Sequence, residues 1–202
     1  MKGLLFKDLV NIRQQARIYT LILGIWILIG IAEKNLSFFG GVMSIFSAMV
    51  PLTACGYDEK ANWDKYALTM PVTRKQMVIS KYLLGILILL CGFGLMLLAG
   101  LFTDTALTEQ IDIMCVFGTL GMTCMALMLP AVFRLGVEKA RTVMMLIFII
   151  PTAALLAVGR LDLATPDPQL LRTLLHMAPV AAAILFLMSI PFSVYLYEKR
   201  EF

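Results

Sequence analysis

The chain has 202 residues, of which 60% are hydrophobic and 15% charged, and its mean hydropathy is +0.89. A soluble domain of this length cannot bury so much apolar surface, so the composition excludes a water-soluble protein and indicates one that crosses a membrane several times. The formal net charge of +4 therefore bears on orientation in the bilayer, and no basic patch with interleaved aromatic residues indicates a nucleic-acid partner.

The four cysteines lie in apolar runs without a repeated spacing, which predicts buried thiols rather than a disulfide framework or a zinc site.

Residues 1–17 are predicted to form an amphipathic helix at the membrane surface. Leu5, Leu9, Ile12 and Ala16 recur at helical spacing on one face, with polar side chains opposite and basic residues at the flanks. The basic residues are expected to touch anionic lipid headgroups, a partner subunit, or both.

Six apolar stretches are long enough, alone or with their flanks, to cross a bilayer. They cover residues 18–32, 38–56, 77–102, 111–133, 142–159 and 174–196. The predicted fold class is all-α: one transmembrane domain over residues 1–202, with six transmembrane helices, the interfacial helix and a polar helix between the second and third spans. Thr73 and Gln76 have capping-box spacing at the start of the third span, directly after Pro71.

Basic residues are distributed unevenly between the two sides of these spans. Fourteen of the 17 Lys and Arg residues fall on one side, and only Lys34, Arg160 and Arg172 fall on the other. Since Lys and Arg are enriched in cytoplasmic loops, the pattern predicts a multi-pass membrane protein with the side that holds fourteen basic residues in the cytoplasm. Both termini, residues 57–75 and the charged loop 134–141 are then cytoplasmic.

The predicted spans carry no evident chemistry of their own. Their apolar centres lack the ionisable residues that a proton relay or an ion-coupled transporter needs. The sequence contains no GxxxxGK[ST] phosphate loop, no HExxH and no GxSxG motif. We therefore predict that the chain is not an enzyme, has no catalytic or metal-binding residues, and binds no cofactor itself. A transporter of this kind must take its energy from a partner.

Residues 57–75, YDEKANWDKYALTMPVTRK, form a charged stretch between two long apolar runs and are called the polar segment below. As a helix, the segment places Glu59, Trp63, Tyr66 and Met70 on one face. Trp and Tyr in such a helix are typical of an anchor in the headgroup layer and of a protein-docking surface. The two interpretations are compatible, because one face can anchor while another docks.

The order of these elements, with the motifs YDEK, NWDKYALTMP and PVTRKQMVISKYL, resembles the small six-span bacterial permeases of type-2 ABC exporters, which export peptides or drugs. The resemblance implies that the protein lies in the bacterial cytoplasmic (plasma) membrane. The resemblance covers nearly the whole chain. In that family the loop corresponding to the polar segment is a coupling helix, which sits in a cleft of a separate cytoplasmic ATPase subunit. The resemblance implies two ATPase subunits, which bind ATP and Mg²⁺, and two permeases, the second being another copy of this chain or a paralogue.

The resemblance also implies roles for individual residues. Those that would face or support the ATPase are Asp58, Glu59, Lys60, Trp63, Asp64, Lys65, Tyr66 and Met70, with Trp63 and Tyr66 as the principal docking side chains. Those that would form a rigid joint to the third span are Pro71, Thr73, Arg74 and Lys75. Secondary cytoplasmic contacts would come from Lys7, Arg13, Arg17, Arg134, Glu138 and Lys139.

The expected cargo is hydrophobic or amphipathic, because the span centres are uncharged and the fourth span is rich in methionine. Ordinary packing is the alternative explanation for those methionines. The resemblance favours an antimicrobial or toxin-like peptide, with a drug-like molecule or a lipid as the alternative cargo. A membrane sensor or assembly factor, which recruits a cytoplasmic partner without transporting anything, is a second hypothesis, and an intramembrane enzyme is disfavoured by the uncharged spans.

Overall fold

A computed structural model of the chain describes residues 2–67, 69, 72–103, 105–160 and 168–199, without the side chains of residues 2, 14, 64, 148, 150–152, 154–160 and 168–176. Every regular element in this part of the chain is a helix. The helices are α1 (Lys2–Ala32), α2 (Ser37–Lys60), α3 (Trp63–Ala67), α4 (Arg74–Gly100), α5 (Leu107–Leu135), α6 (Val137–Arg160) and α7 (Pro168–Glu198).

Five of the described helices, α1, α2, α4, α5 and α7, are long and apolar enough to cross a membrane. The fifth predicted span, 142–159, falls within α6, and most side chains of its second half lie outside the described residues. The structure therefore confirms an all-helical architecture with five candidate membrane spans among the described residues. The sequence predicts six spans, and five helices in the described part of the chain qualify as spans.

The predicted interfacial helix and the first span form one continuous helix, α1, in the structure. The physical reason is local, because no glycine or proline occurs between Leu4 and Leu23 to interrupt the helix. The inward face also differs from the predicted one. Leu4, Asp8 and Ile12 are buried, whereas Leu9 is exposed.

The charged loop predicted at 134–141 is also mostly helical. Arg134 lies in the last turn of α5 and Glu138 in the first turn of α6, so the connection is reduced to Gly136. Gly136 has a φ of 84°, a left-handed value that glycine adopts without the steric penalty of a Cβ atom. One residue is therefore enough to end α5 and start α6.

The core lies where α2, α4, α5 and α7 meet, and α2 contacts every helix of the described structure except α7. At Gly85 of α4, an added Cβ atom would lie 2.9 Å from the Ser47 carbonyl oxygen of α2, so only glycine permits this approach. Such small-residue contacts are typical of helices packed within a membrane.

The methionines and cysteines of the spans divide between the core and the outer surface. Met125 and Met128 of the fourth predicted span are fully buried in the core, which supports packing rather than cargo contact for these two. The prediction of buried thiols holds for Cys55 and Cys124 and is wrong for Cys91 and Cys115, whose side chains are exposed on the surface of the chain.

Three contacts bring the polar segment together with the two terminal helices and with the start of α6. Lys7 of α1 hydrogen-bonds Asp58, Glu59 contacts the first residue of α6, and Arg74 contacts the last turn of α7. This end of the helix bundle is called the charged end below. The elements predicted to share one side of the membrane do lie together there, and which compartment they face stays a prediction.

Candidate functional site

The polar segment is two short helical pieces separated by a turn, rather than the single predicted helix. Tyr57–Lys60 is the last turn of α2, and α3 begins at Trp63. Asn62 between them has a φ of 48°, a left-handed value that asparagine tolerates better than most residues. Glu59 and Trp63 therefore do not continue one helical face. Met70 and Pro71 lie outside the described residues, as does the side chain of Asp64.

The joint to α4 has the predicted capping box. The Thr73 side chain accepts from the backbone N–H of Gln76 at 3.3 Å, and the Gln76 side chain accepts from the backbone N–H of Thr73 at 3.2 Å. Two N–H groups at the start of α4 are thus satisfied reciprocally. The direction in which the polar segment joins α4 is fixed by this cap.

A network of four charged side chains lies directly behind the polar segment and is called the charge network below. Lys81 of α4 donates to Asp8 of α1 at 2.8 Å and to Asp58 of α2 at 2.6 Å. Lys7 donates to the other oxygen of Asp58 at 2.5 Å and lies 3.2 Å from Asp8. Two lysines and two aspartates make the network electrically neutral, and it ties together α1, α2 and α4.

Three of the four members of the charge network are almost completely removed from solvent, and Lys7 is partly buried. Asp8 is 1% exposed, Lys81 5% and Asp58 7%. Buried charges are tolerated only when they are paired and hydrogen-bonded, so each member depends on the others. One oxygen of Asp8, Oδ2, is buried without a hydrogen-bond partner among the described residues. Removal of a single member leaves an uncompensated charge in the protein interior.

Trp63, predicted to be a docking side chain, packs partly inward, and its docking role stays a prediction. It is half-buried against the core cluster that contains Tyr82 and Met128. The Lys7 ammonium lies 4.5 Å from the centroid of its ring, a cation–π distance. The Trp63 indole N–H is buried and makes no hydrogen bond within the described residues. Trp63 therefore connects α3 with the core and the charge network.

A cavity of about 30 Å³ lies beside the charge network. All seven helices contribute to its wall, through residues that include Lys7, Cys55, Trp63, Lys81, Phe133, Val137 and Tyr197. Binding pockets for small molecules usually measure several hundred Å³. The cavity is therefore far too small for a cargo molecule, and its significance is that all seven helices converge there.

Two further contacts join the polar segment to the remaining helices. The Glu59 carboxylate accepts from the backbone N–H of Val137 at 3.0 Å, and a negative charge is favoured at a helix N-terminus such as that of α6. The Arg74 guanidinium donates to the carbonyl oxygens of Glu198 at 2.7 Å and Tyr197 at 3.2 Å, which belong to the end of α7. A cation is favoured at that position for the complementary reason.

The predicted docking residues thus fall into two groups. Asp58 is buried, and Trp63, Lys7 and Arg74 are partly buried, with all four engaged within the chain. The exposed group is Glu59, Lys60, Lys65, Tyr66, Lys75, Arg13, Arg17, Arg134, Glu138 and Lys139. Tyr66 is 63% exposed, which makes it the most prominent aromatic side chain of the polar segment.

Sequence reasoning missed two members of the charge network. Asp8 and Lys81 belong to none of the predicted sets of docking, joint or secondary contact residues. A signal was present, because Leu4, Asp8, Ile12 and Tyr19 follow each other at helical spacing and the only acidic residue before Glu33 lies among them. A lone carboxylate on an apolar helix face next to a membrane span indicates a buried partner.

No group of three or more His, Cys, Asp or Glu residues in the described part of the chain is arranged to hold a metal ion. The charge network has only two carboxylates, and both of its aspartates already accept hydrogen bonds from lysine. Its chemistry is that of a structural ion cluster.

A model of the family described as "ABC-2 family transporter protein" matches residues 3–198. The chain belongs to this family. The ABC-2 protein is accordingly a multi-pass membrane protein and the permease component of an ABC transporter, a component that is not catalytic itself and that works with an ATPase subunit. No curated protein and no solved structure matches the chain.

Proposed function

We propose that this ABC-2 protein is the permease of an ATP-driven exporter and that the polar segment is the element on which the ATPase acts. The observation that carries the proposal is the division of the segment into two sides. Its outer side presents Lys60, Lys65 and Tyr66 to solvent. Its inner side, through Asp58 and Trp63, is held by the charge network and the core.

The geometry supplies a route for movement from the polar segment to the spans. A displacement of the segment acts on α1 through Lys7, on α4 through Lys81, and on α6 and α7 through Glu59 and Arg74. Packed cores and buried ion pairs resist partial deformation, so these helices respond together rather than one by one. Alternating access driven by a partner requires this type of connection.

The proposed assembly follows the family resemblance: two ATPase subunits, which bind ATP and Mg²⁺, and two permeases in the bacterial cytoplasmic membrane, with both termini and the charged end in the cytoplasm. The finer fold proposal is six spans, with α6 as the fifth. The exposed Arg134, Glu138 and Lys139 at the α5–α6 junction, which lies at the charged end through Glu59, are proposed as secondary contacts with the ATPase.

The proposed cargo is hydrophobic or amphipathic, with an amphipathic peptide as the first candidate and drug-like molecules or lipids as the alternatives. A groove of about 410 Å³ between α2 and α6 supports this class. Its wall is largely apolar, with Met49, Met144 and Met145, and one cation, Arg141, lies at its edge. Flexible methionine side chains adapt to apolar surfaces of different shape.

The experiment that tests the proposal is copurification and transport with the ABC ATPase encoded beside this gene. The wild-type permease is expected to form a stable complex and to support ATP-dependent flux of an amphipathic peptide into inverted vesicles. The double variant Lys65→Glu/Tyr66→Ala is expected to lose the complex. Phe102→Ala, a truncation of another exposed aromatic residue (76%) just beyond the opposite end of α4, is the control and should leave the complex intact.

Two outcomes would contradict the proposal. If Lys65→Glu/Tyr66→Ala binds the ATPase and transports as well as the wild type, the polar segment is not the docking element. If the complex forms but no peptide, drug or lipid moves under any nucleotide condition, the protein is a recruiting or sensing component instead of an exporter.

A further inference from the structure

The uncharged part of α1 is shorter than the hydrocarbon layer of a membrane. Between Arg17 and Glu33 the helix has only the uncharged residues 18–32. At about 1.5 Å per residue this stretch is about 22 Å long, against about 30 Å for the hydrocarbon core. Extending the helix back to Arg13 brings the length from Ala32 to about 28 Å. Arg13 therefore lies near the boundary of the hydrocarbon, and Arg17 lies about one turn inside it.

Both arginines are exposed on the surface of α1, a helix that packs against α2 and α4 with its other side. Only 6% of the apolar window Gln15–Ala32 is buried within the chain. Arg13 and Arg17 are four residues apart and thus on one face, where they line an open groove with Val10, Thr20 and Leu21. Every residue of that groove belongs to α1, so no other described helix closes it.

Neither arginine has an ion-pair or hydrogen-bond partner within the described part of the chain. This distinguishes them from Lys7, which lies on the same helix but is neutralised by Asp8 and Asp58. Two unpaired guanidinium groups at the edge of hydrocarbon require anions from outside the chain. Long basic side chains meet this need by extending toward the phosphate layer.

We propose that Arg13 and Arg17 form a binding site for the headgroup phosphate of an anionic phospholipid, in the leaflet on the side of the charged end. The planar guanidinium group can donate two parallel hydrogen bonds to a phosphate. The apolar neighbours Val10 and Leu21 are exposed on the same face and lie beside the acyl chains. A headgroup with net negative charge is selected over a zwitterionic one because the two arginines together carry two positive charges without compensation.

The test is a lipid titration of the purified full-length permease, followed by native mass spectrometry. The probes are phosphatidylglycerol and phosphatidylcholine in mixed micelles, with inorganic phosphate as a competitor. The wild type is expected to retain phosphatidylglycerol in preference to phosphatidylcholine, and millimolar phosphate should not displace it. Arg13→Gln/Arg17→Gln is expected to bind it about 25-fold more weakly, at about fivefold per basic residue.

Two variants complete the comparison. Lys60→Gln/Lys65→Gln removes the same two charges from the exposed side of the polar segment and should bind lipid like the wild type. Arg13→Lys/Arg17→Lys retains the charges and should keep most of the preference for phosphatidylglycerol. The side chains of Arg13, Arg17, Lys60 and Lys65 are all exposed, so none of these substitutions removes a core contact.

The proposal is overturned by any of three results: undiminished binding in Arg13→Gln/Arg17→Gln, equal retention of the two phospholipids, or displacement by inorganic phosphate. It is also overturned if a second copy of the chain covers this face. In that case Arg17→Cys, in a background with the exposed Cys91 and Cys115 changed to alanine, would crosslink two copies efficiently. None of these results depends on the ATPase, so the proposed function is tested separately.

Discussion

Lys81 and Tyr82 are neighbours on α4 and lead into two buried polar clusters of different character. Lys81 points toward α1 and α2 and holds the charge network together. Tyr82 points toward α5 and α7, where its hydroxyl shares hydrogen bonds with Ser189 and Ser193. The Ser189 hydroxyl in turn contacts the Ala126 carbonyl oxygen of α5 at 2.7 Å.

The two clusters respond differently to the loss of a member. In the charge network, loss of one side chain leaves a buried charge, and that penalty exceeds the value of the hydrogen bond itself. In the hydroxyl cluster, the remaining serines can rotate toward backbone carbonyls of their own helices, so little is left unsatisfied. Loss of one member of the charge network is therefore expected to destabilise the position of the polar segment strongly. Loss of one hydroxyl is expected to change only the packing of α4 against α7.

Lys81→Met is expected to have the largest effect, a loss of about 3–5 kcal/mol in the free energy of unfolding, because two buried aspartates are then left with one lysine. The measurement is reversible unfolding by SDS titration from mixed micelles. The matched variant Lys81→Met/Asp8→Asn leaves Lys7 and Asp58 as a neutral pair and should recover a large part of the loss. If the double variant is less stable than the single one, the charge balance is not what stabilises this region.

Trp63→Ala is expected to have the next largest effect, about 2 kcal/mol, since a half-buried aromatic ring is removed from the core and from Lys7. The same unfolding titration measures it. Trp63→Phe keeps an aromatic face toward Lys7 and should lose less than half as much. Equal loss in the two variants would mean that an aromatic face toward Lys7 is not what matters at this position.

Tyr82→Phe is expected to cost about 1 kcal/mol, the usual value of one neutral hydrogen-bond group that can be compensated locally. The ring of Tyr82 packs edge-on against Phe186, and this contact is kept in the variant. SDS titrations of Tyr82→Phe and Lys81→Met, measured in parallel, compare their losses in the free energy of unfolding directly. A loss as large as that of Lys81→Met would remove the distinction between the two clusters.

Tyr66→Ala is expected to change the free energy of unfolding by less than about 0.5 kcal/mol, because its side chain is largely exposed. Its effect should instead appear as weaker binding of the ATPase in a pull-down assay. This variant separates the outer side of the polar segment from the inner side, which Trp63→Ala affects. A stability loss comparable to that of Trp63→Ala would show that Tyr66 also belongs to the inner side.

Part of the site could be predicted from the sequence and part could not. The Thr73 capping box was predictable because it depends on four consecutive residues. The inward position of Trp63 was not, because it depends on the turn at Asn62 and on the core that α5 and α7 supply. The charge network joins Lys7 and Asp8 to residues more than 50 positions away, a separation that no local pattern reports.

By itself the sequence determined that the chain is helical, crosses the membrane several times and carries one amphipathic polar segment, since hydropathy and helical spacing are properties of contiguous residues. The tertiary structure decided which side of that segment is available to a partner. Whether Asp58 faces solvent or Lys81 depends on the packing of α1 and α4 against α2, and the same packing leaves Arg13 and Arg17 on the uncovered face of α1. Burial is a property of the assembled helices, and it separated the residues that hold the segment from those that can receive a partner.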